Sequence, residues 1–343
     1  MHSRVVPYGD PGAHQRLAEM LPLSTPLSLL IDPANACNFR CKFCPTAYPE
    51  LLASVSRPKG LMKYELFCRI IDGLAEFPQQ VQKLHLYKDG EPFLNKRLPD
   101  MIAYAKARNA AGSIETTSNG SLLTVDTIHR TLDAGLDRIR ISIEHVHSSG
   151  YRSITGCYDD YSKIVNNVTN LFTEKSKRNH HLQVHAKLVD IGFTDEEKEK
   201  FFNDFGSIAD EVFIDEIMGW SDSGRFDFTL GRTPEVGMTR RTPIKTDRIV
   251  CPQPFYTLAV NFDGLVSVCC VDWTMNTVVG DCRIQSLPAI WNGPVLKEFR
   301  LMHLQGQREM NRACGNCQYV LGMSDASDLD GSWMNLHKIF ESN

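Results

Sequence analysis

The chain has 343 residues, enough to bury a large core unaided, and this length favours two domains or one large barrel with an appendage. Its 37 Lys and Arg against 41 Asp and Glu give a net charge of −4, which excludes the basic surface needed to bind a phosphate backbone, so no nucleic-acid partner is expected. No apolar run is long enough for a membrane span, and residues 1–12 lack a secretory pattern; a cytoplasmic protein is expected, whose 11 cysteines are metal ligands or buried thiols.

Residues 1–26 read as an N-terminal extension. Over 27–220, short β-rich runs alternate with amphipathic helical patterns, which predicts an α/β fold: a partial (β/α)6 TIM-like barrel. Strands are predicted at 27–31, 83–87, 114–118, 138–144, 182–189 and 211–217, and helices at 64–74, 98–109, 125–134, 161–173 and 195–205. In the fourth strand Ile139, Ile141 and Ile143 share one face and Arg138, Arg140, Ser142 and Glu144 the other. His185 and Lys187 alternate with apolar neighbours in the same way, as do Lys83, His85 and Tyr87. Helix-covered parallel strands are normally apolar on both faces. One polar face therefore implies an open barrel whose lumen holds a polar ligand. Residues 221–248 lack periodicity and read as a linker or active-site loop. Residues 249–320 read as a cysteine-bearing domain of a β-hairpin plus helix, and 321–343 as a tail with a docking helix at 333–340.

Cys37, Cys41 and Cys44 form a CxxxCxxC pattern just after the first strand, on a loop at the barrel's C-terminal mouth, where active sites belong. Structural zinc and iron–sulfur sites are closed by four protein ligands, whereas a catalytic metal keeps one position open. A cubane on three thiolates leaves one iron free for substrate or cofactor. With Phe43 just before the third cysteine, the pattern resembles the radical S-adenosylmethionine (SAM) superfamily. That resemblance implies a 4Fe-4S cluster whose free iron chelates SAM, cleavage of SAM to a 5′-deoxyadenosyl radical, and hydrogen abstraction from the substrate. It also implies an external one-electron reductant of flavodoxin or ferredoxin type. Gly90 and Glu91, between Asp89 and Pro92, resemble the GGEP element that holds the SAM amino group, with Asp89 in place of the first glycine. Ser118 and Asn119, before Gly120, resemble the element near the ribose. Ser142 and Arg152 fall where related enzymes contact the ribose or the methionine carboxylate, for which arginine is a sound partner.

A second set comprises Cys251, Cys269, Cys314 and Cys317. Four thiolates would close a site, which suits electron transfer or structure. A turn at 262–264 between strands at 257–260 and 266–270 puts one of these cysteines before a hairpin and one at its end. The region resembles the SPASM/twitch extension of radical SAM enzymes. It lacks the further cysteines of the full SPASM pattern, which implies the twitch form with one auxiliary 4Fe-4S cluster, as in the twitch aminocyclitol dehydrogenases of aminoglycoside biosynthesis. Cys269 is preferred over Cys270 because its interval from Gly264 suits the hairpin; Cys270 remains an alternative ligand or a hydrogen-atom donor. A four-cysteine zinc ribbon is the competing reading.

Two outcomes follow hydrogen abstraction. Net oxidation of a hydroxyl-bearing carbon needs a base, for which the polar lumen offers His185, Lys187, Glu115 and Asp215. Return of hydrogen from a cysteine would instead give epimerisation. Only 26 residues precede the first strand, and with the polar lumen this favours a small polar substrate, a sugar or aminocyclitol. Radical modification of a ribosomally made peptide and a non-enzymatic iron–sulfur carrier or sensor are the alternatives.

Overall fold

The computed structural model describes residues 16–158, 160–222 and 224–342, and the backbone of residues 4 and 5. The reading of residues 1–12, and much of the expected N-terminal extension, lies outside the described residues. One sheet contains β1 (Arg4–Val5), β2 (Ser28–Ile31), β3 (Val81–His85), β4 (Ala111–Ser118), β5 (Arg138–Ile143), β6 (Gln183–Asp190), β7 (Glu211–Glu216), β8 (Thr257–Val260), β9 (Leu265–Ser267) and β10 (Val278–Asp281). Its order is β1-β7-β6-β5-β4-β3-β2-β8-β9-β10. Pairing is parallel from β1 to β8 and antiparallel from β8 through β10. The sheet does not close, so the predicted α/β partial TIM-like barrel is the fold observed.

Alternation along the strands sorts side chains between helix layer and lumen. Ile139, Ile141 and Ile143 are buried beneath the helices, while Arg138, Arg140 and Ser142 are half-buried on the opposite face. The crossover helix Tyr161–Lys177 buries Ile164, Val168 and Leu171 at helical spacing. Its Asp160 accepts from the Lys163 N–H, and Thr194 with Glu197 forms a capping box on Asp195–Phe205.

Differences from the sequence reading lie where long-range contacts decide. β4 begins at Ala111, three residues before the expected start at 114, because Gly112 lets it lie close to Gln82. The helix Ser148–Thr155 opens on Ser148, Ser149 and Gly150, poor helix formers. It is held by the first cysteine loop, whose Arg40 and Lys42 N–H groups donate to the Thr155 and Ile154 carbonyls at 2.9 and 3.0 Å. A second core joins the C-terminal helix Trp333–Ser342, through Leu336 and Phe340, to Val250, Phe255 and Leu304. No helix among the described residues is long and apolar enough to cross a membrane.

β2 is the seam. It pairs with β3 on one side and β8 on the other, and the Asp32 N–H continues the ladder to the Val260 carbonyl at 2.9 Å. Leu258, opposite Leu29, is fully buried there. Leu258→Ala should destabilise the protein by about 2–5 kcal/mol in denaturant unfolding, through lost burial and a cavity. An unchanged midpoint would show that this seam is not packed as described.

Candidate active site

The first cysteine loop leaves β2 and folds back beside the Gly90 loop. A Cβ on Gly90 would lie 2.1 Å from the Ala34 carbonyl oxygen and 2.3 Å from that of Ala36, so only glycine allows this approach. The Glu91 N–H then donates to the Ala36 carbonyl at 2.8 Å. Glu91 is buried, and its carboxylate clasps the end of β4: Oε1 accepts from Ser118 Oγ at 2.9 Å and the Phe93 N–H at 3.1 Å, and Oε2 from the Asn119 N–H at 2.8 Å. Burial raises its pKa to about 7 against these bonds. Asn119 Nδ2 donates to Asn38 Oδ1 at 2.9 Å and faces Cys37 Sγ at 4.0 Å. Thus Gly90, Glu91, Ser118 and Asn119 lie together beside the loop that carries Cys37. Phe43 is half-buried, and its carbonyl accepts from Trp220 Nε1 at 3.0 Å. Arg152 is exposed on the helix Ser148–Thr155 that brackets the loop.

Burial is the main cause that raises the thiols here, with neighbouring acids and thiols adding to it at Cys37 and Cys41: Cys37 is pushed up to about 12 and Cys41 well above its ordinary value. A thiolate here needs a metal's positive charge, so this donor set fits a metal cluster. Glu144, just past β5, is buried against Cys41, and burial raises its carboxyl to about 7.

Further inside, the lumen residues separate into two levels. Toward the strand starts, Glu115 is ringed by Arg138, Lys83 and His85 at 3.0, 3.5 and 3.7 Å. Burial pushes its carboxyl up, but those cations outweigh it and hold it below the usual range. His185 lies 3.4 Å from Glu211, and burial lowers its pKa to about 4. Two residues further along β6, Lys187 is beside Ser142 in register and 3.8 Å from Asp215. Burial drives both toward neutrality, lowering Lys187 and raising Asp215.

Cys251, Cys269, Cys314 and Cys317 line one small pocket. The Asn311 side chain caps the turn carrying Cys314, and the Cys317 N–H donates to the Cys314 carbonyl. Burial pushes Cys317 up to about 12 and Cys251 higher, so this donor set also fits a metal cluster. Cys270 does not line the pocket; its thiol meets the field of Lys88.

The sequence reading missed Asp32, Arg57 and Lys88, which are buried at the barrel mouth with Asp89. Nothing local to Asp32, Arg57 or Lys88 in sequence marks burial; the Asp32 N–H donates to the Val260 carbonyl and Lys88 Nζ to that of Asp272, contacts with the C-terminal part of the chain. Asp32 makes no well-formed side-chain hydrogen bond, and burial, then Asp89, raises its pKa to about 7.

Residues 31–204 match the radical SAM superfamily and residues 251–318 the SPASM iron-sulfur cluster-binding domain. The chain belongs to the radical SAM superfamily. Its cofactors are therefore SAM, a SAM-binding 4Fe-4S cluster and an auxiliary cluster. It is 30% identical over 116 residues to a tungsten-containing aldehyde ferredoxin oxidoreductase cofactor-modifying protein of Pyrococcus furiosus, covering 34% of this chain. It is also 30% identical over 144 residues to a PqqA peptide cyclase of Granulibacter bethesdensis, covering 42% of this chain. These matches span 30 and 36% of the length of those relatives. Among solved structures, BtrN in complex with AdoMet and 2-DOIA shares the fold at TM-score 0.53 and 17% identity, over 84% of this chain and 92% of that one. Streptococcus suis SuiB bound to the precursor peptide SuiA does so at TM-score 0.60 and 13% identity, over 83 and 69% of the two chains.

Two outcomes test this geometry. Cys269→Ala should lose the auxiliary cluster's iron while Cys270→Ala keeps it, as measured by iron content and electron paramagnetic resonance; equal loss would contradict the pocket. Asp32 has a raised folded-state pKa, so its penalty is absent below about pH 4 and full above about pH 7. Asp32→Asn should therefore gain stability over the wild type as pH rises through that window, in denaturant unfolding of the cluster-free protein; a pH-independent difference would contradict the burial.

Proposed function

We propose that this chain is a radical SAM oxidoreductase that oxidises a hydroxyl-bearing carbon of a small polar substrate, a sugar or aminocyclitol. The observation that carries this reading is the polar lumen, with Lys187 and Asp215 3.8 Å apart below a mouth at which both cysteine sites lie. In this reading residues 27–220 are the catalytic barrel, 221–248 the connecting loop and 249–320 the auxiliary-cluster unit. Cys37, Cys41 and Cys44 hold the SAM-binding cluster, and Cys251, Cys269, Cys314 and Cys317 the auxiliary one. When bound, SAM and the two clusters supply the entering electron, the hydrogen-abstracting radical and the final electron acceptor.

The chain's own residues do the rest. Gly90, Glu91, Ser118 and Asn119 shape the floor against which SAM lies. Ser142 offers a hydroxyl to the ribose, and Arg152 a guanidinium to the methionine carboxylate. Lys187 and Asp215 hold the substrate, and one of them takes its hydroxyl proton; burial tunes both toward that task. Glu115 and His185, tied to their own partners further from the cysteines, are structural. Cys270, outside the four-cysteine pocket, is the hydrogen-atom donor that an epimerase would require. The names of the PqqA peptide cyclase and of SuiB with its precursor peptide favour a second reading, radical modification of a peptide.

Reduced anaerobically with SAM, the protein should form 5′-deoxyadenosine, and in heavy water the product should lack a pair of hydrogens without gaining carbon-bound deuterium. Deuterium wash-in without oxidation would overturn the oxidoreductase in favour of an epimerase. Asp215→Asn and Lys187→Met should slow product formation, by about 10²–10⁴-fold for whichever is the base, while SAM cleavage persists. Unchanged turnover in both would remove them from the mechanism.

A further inference from the structure

We propose that Arg57, Asp89 and Lys88 form a buried charge bridge between the two cysteine sites, and that this bridge sets the reduction potentials of both clusters. The inference rests on the cluster assignment above. Asp89 stands where the resembled motif has glycine, and the structure shows what the substitution adds. Arg57 Nη2 lies 3.0 Å from Asp89 Oδ2, and Lys88 Nζ bonds the same oxygen. The three side chains are 2, 2 and 0% exposed, so water screens none of them.

The bridge reaches both sites. At one end Asp89 is followed by Gly90, which packs against the Ala34 and Ala36 carbonyls just before Cys37, and the Glu91 N–H donates to the Ala36 carbonyl at 2.8 Å. At the other, Lys88 Nζ donates to the Asp272 carbonyl at 3.2 Å, and Asp272 lines the four-cysteine pocket. Burial opposes the Lys88 charge most, but Asp89, Asp32 and Asp272 together outweigh it and keep the ammonium protonated.

Reducing a cluster adds negative charge, so a nearby cation raises its potential and a nearby anion lowers it. In a dry interior these effects are strong. Lys88 bonds the backbone of Asp272, which lines the four-cysteine pocket, whereas Arg57 comes from the segment that follows the first cysteine loop, so in this proposal the two cations act unequally while Asp89, bonded to both, damps each. Glu144 beside Cys41, Arg308, whose Nη1 donates to the Cys314 carbonyl, and Asp32, buried in the fields of all three bridge residues, are among the flanking charges and lie outside the bridge. The three bridge residues are positioning residues: they tune the potential step between electron entry and exit without touching substrate.

The test is an anaerobic redox titration of the reconstituted enzyme, followed by electron paramagnetic resonance. Lys88→Met should lower the auxiliary potential more than the other, Arg57→Met the reverse, and Asp89→Asn should raise both. A role in folding alone would not give shifts of opposite sign. If a methionine variant fails to load iron, the near-isosteric Asp89→Asn and the charge-keeping Lys88→Arg decide: an upward shift in the first and little change in the second support the bridge. Full iron loading with unshifted potentials, or shifts of one sign throughout, would overturn it. A wild-type chain that assembles fewer than two clusters would overturn the cluster assignment instead.

Discussion

The arrangement depends on β2 being hydrogen-bonded on both edges. A four-residue strand, Ser28–Ile31, pairs with β3 inside the barrel and with β8 outside it. The first cysteine loop leaves its C-terminal end, and the β8–β9 hairpin beside it leads into Cys269. Two cysteine sets far apart in sequence are thereby delivered to one mouth. Without the β2–β8 ladder the hairpin would have no register on the barrel, and Lys88 would lose its Asp272 partner.

Burial does the next part of the work. It raises the thiols of both sets until only a metal's positive charge makes thiolates favourable there. It also gathers Asp32, Arg57, Lys88 and Asp89 into a space where charges interact at close to interior strength. The same burial separates the lumen residues. Glu115 is held ionised with Arg138 and Lys83 beside it, whereas Lys187 and Asp215 share one contact and are both pushed toward neutrality.

Much of this was legible in the sequence because it is local. Ile139, Ile141 and Ile143 announced a strand with one apolar face, and CxxxCxxC after β2 announced the first site. The interval from Gly264 to Cys269 favoured that cysteine over Cys270, and it is Cys269 that lines the pocket with Cys251, Cys314 and Cys317. What was hidden depends on distant contacts. Glu91 reads as a cofactor contact in sequence, yet its oxygens already accept from Ser118, Phe93 and Asn119. Arg57 and Lys88 carry no local signal of burial, which comes from contacts with Asp89 and, for Lys88, with the Asp272 carbonyl far along the chain. Likewise Ser148–Thr155 is helical because it docks on the cysteine loop, a contact its weak propensity cannot reveal.

The central claim is that one iron at the barrel mouth lacks a protein ligand and binds SAM. Electron–nuclear double resonance of the reduced enzyme with SAM labelled in its amino nitrogen and carboxylate oxygen measures this directly. The account predicts coupling of both labelled nuclei to the cluster on Cys37, Cys41 and Cys44. Absence of coupling in a fully loaded cluster, or zinc in place of iron, would contradict it.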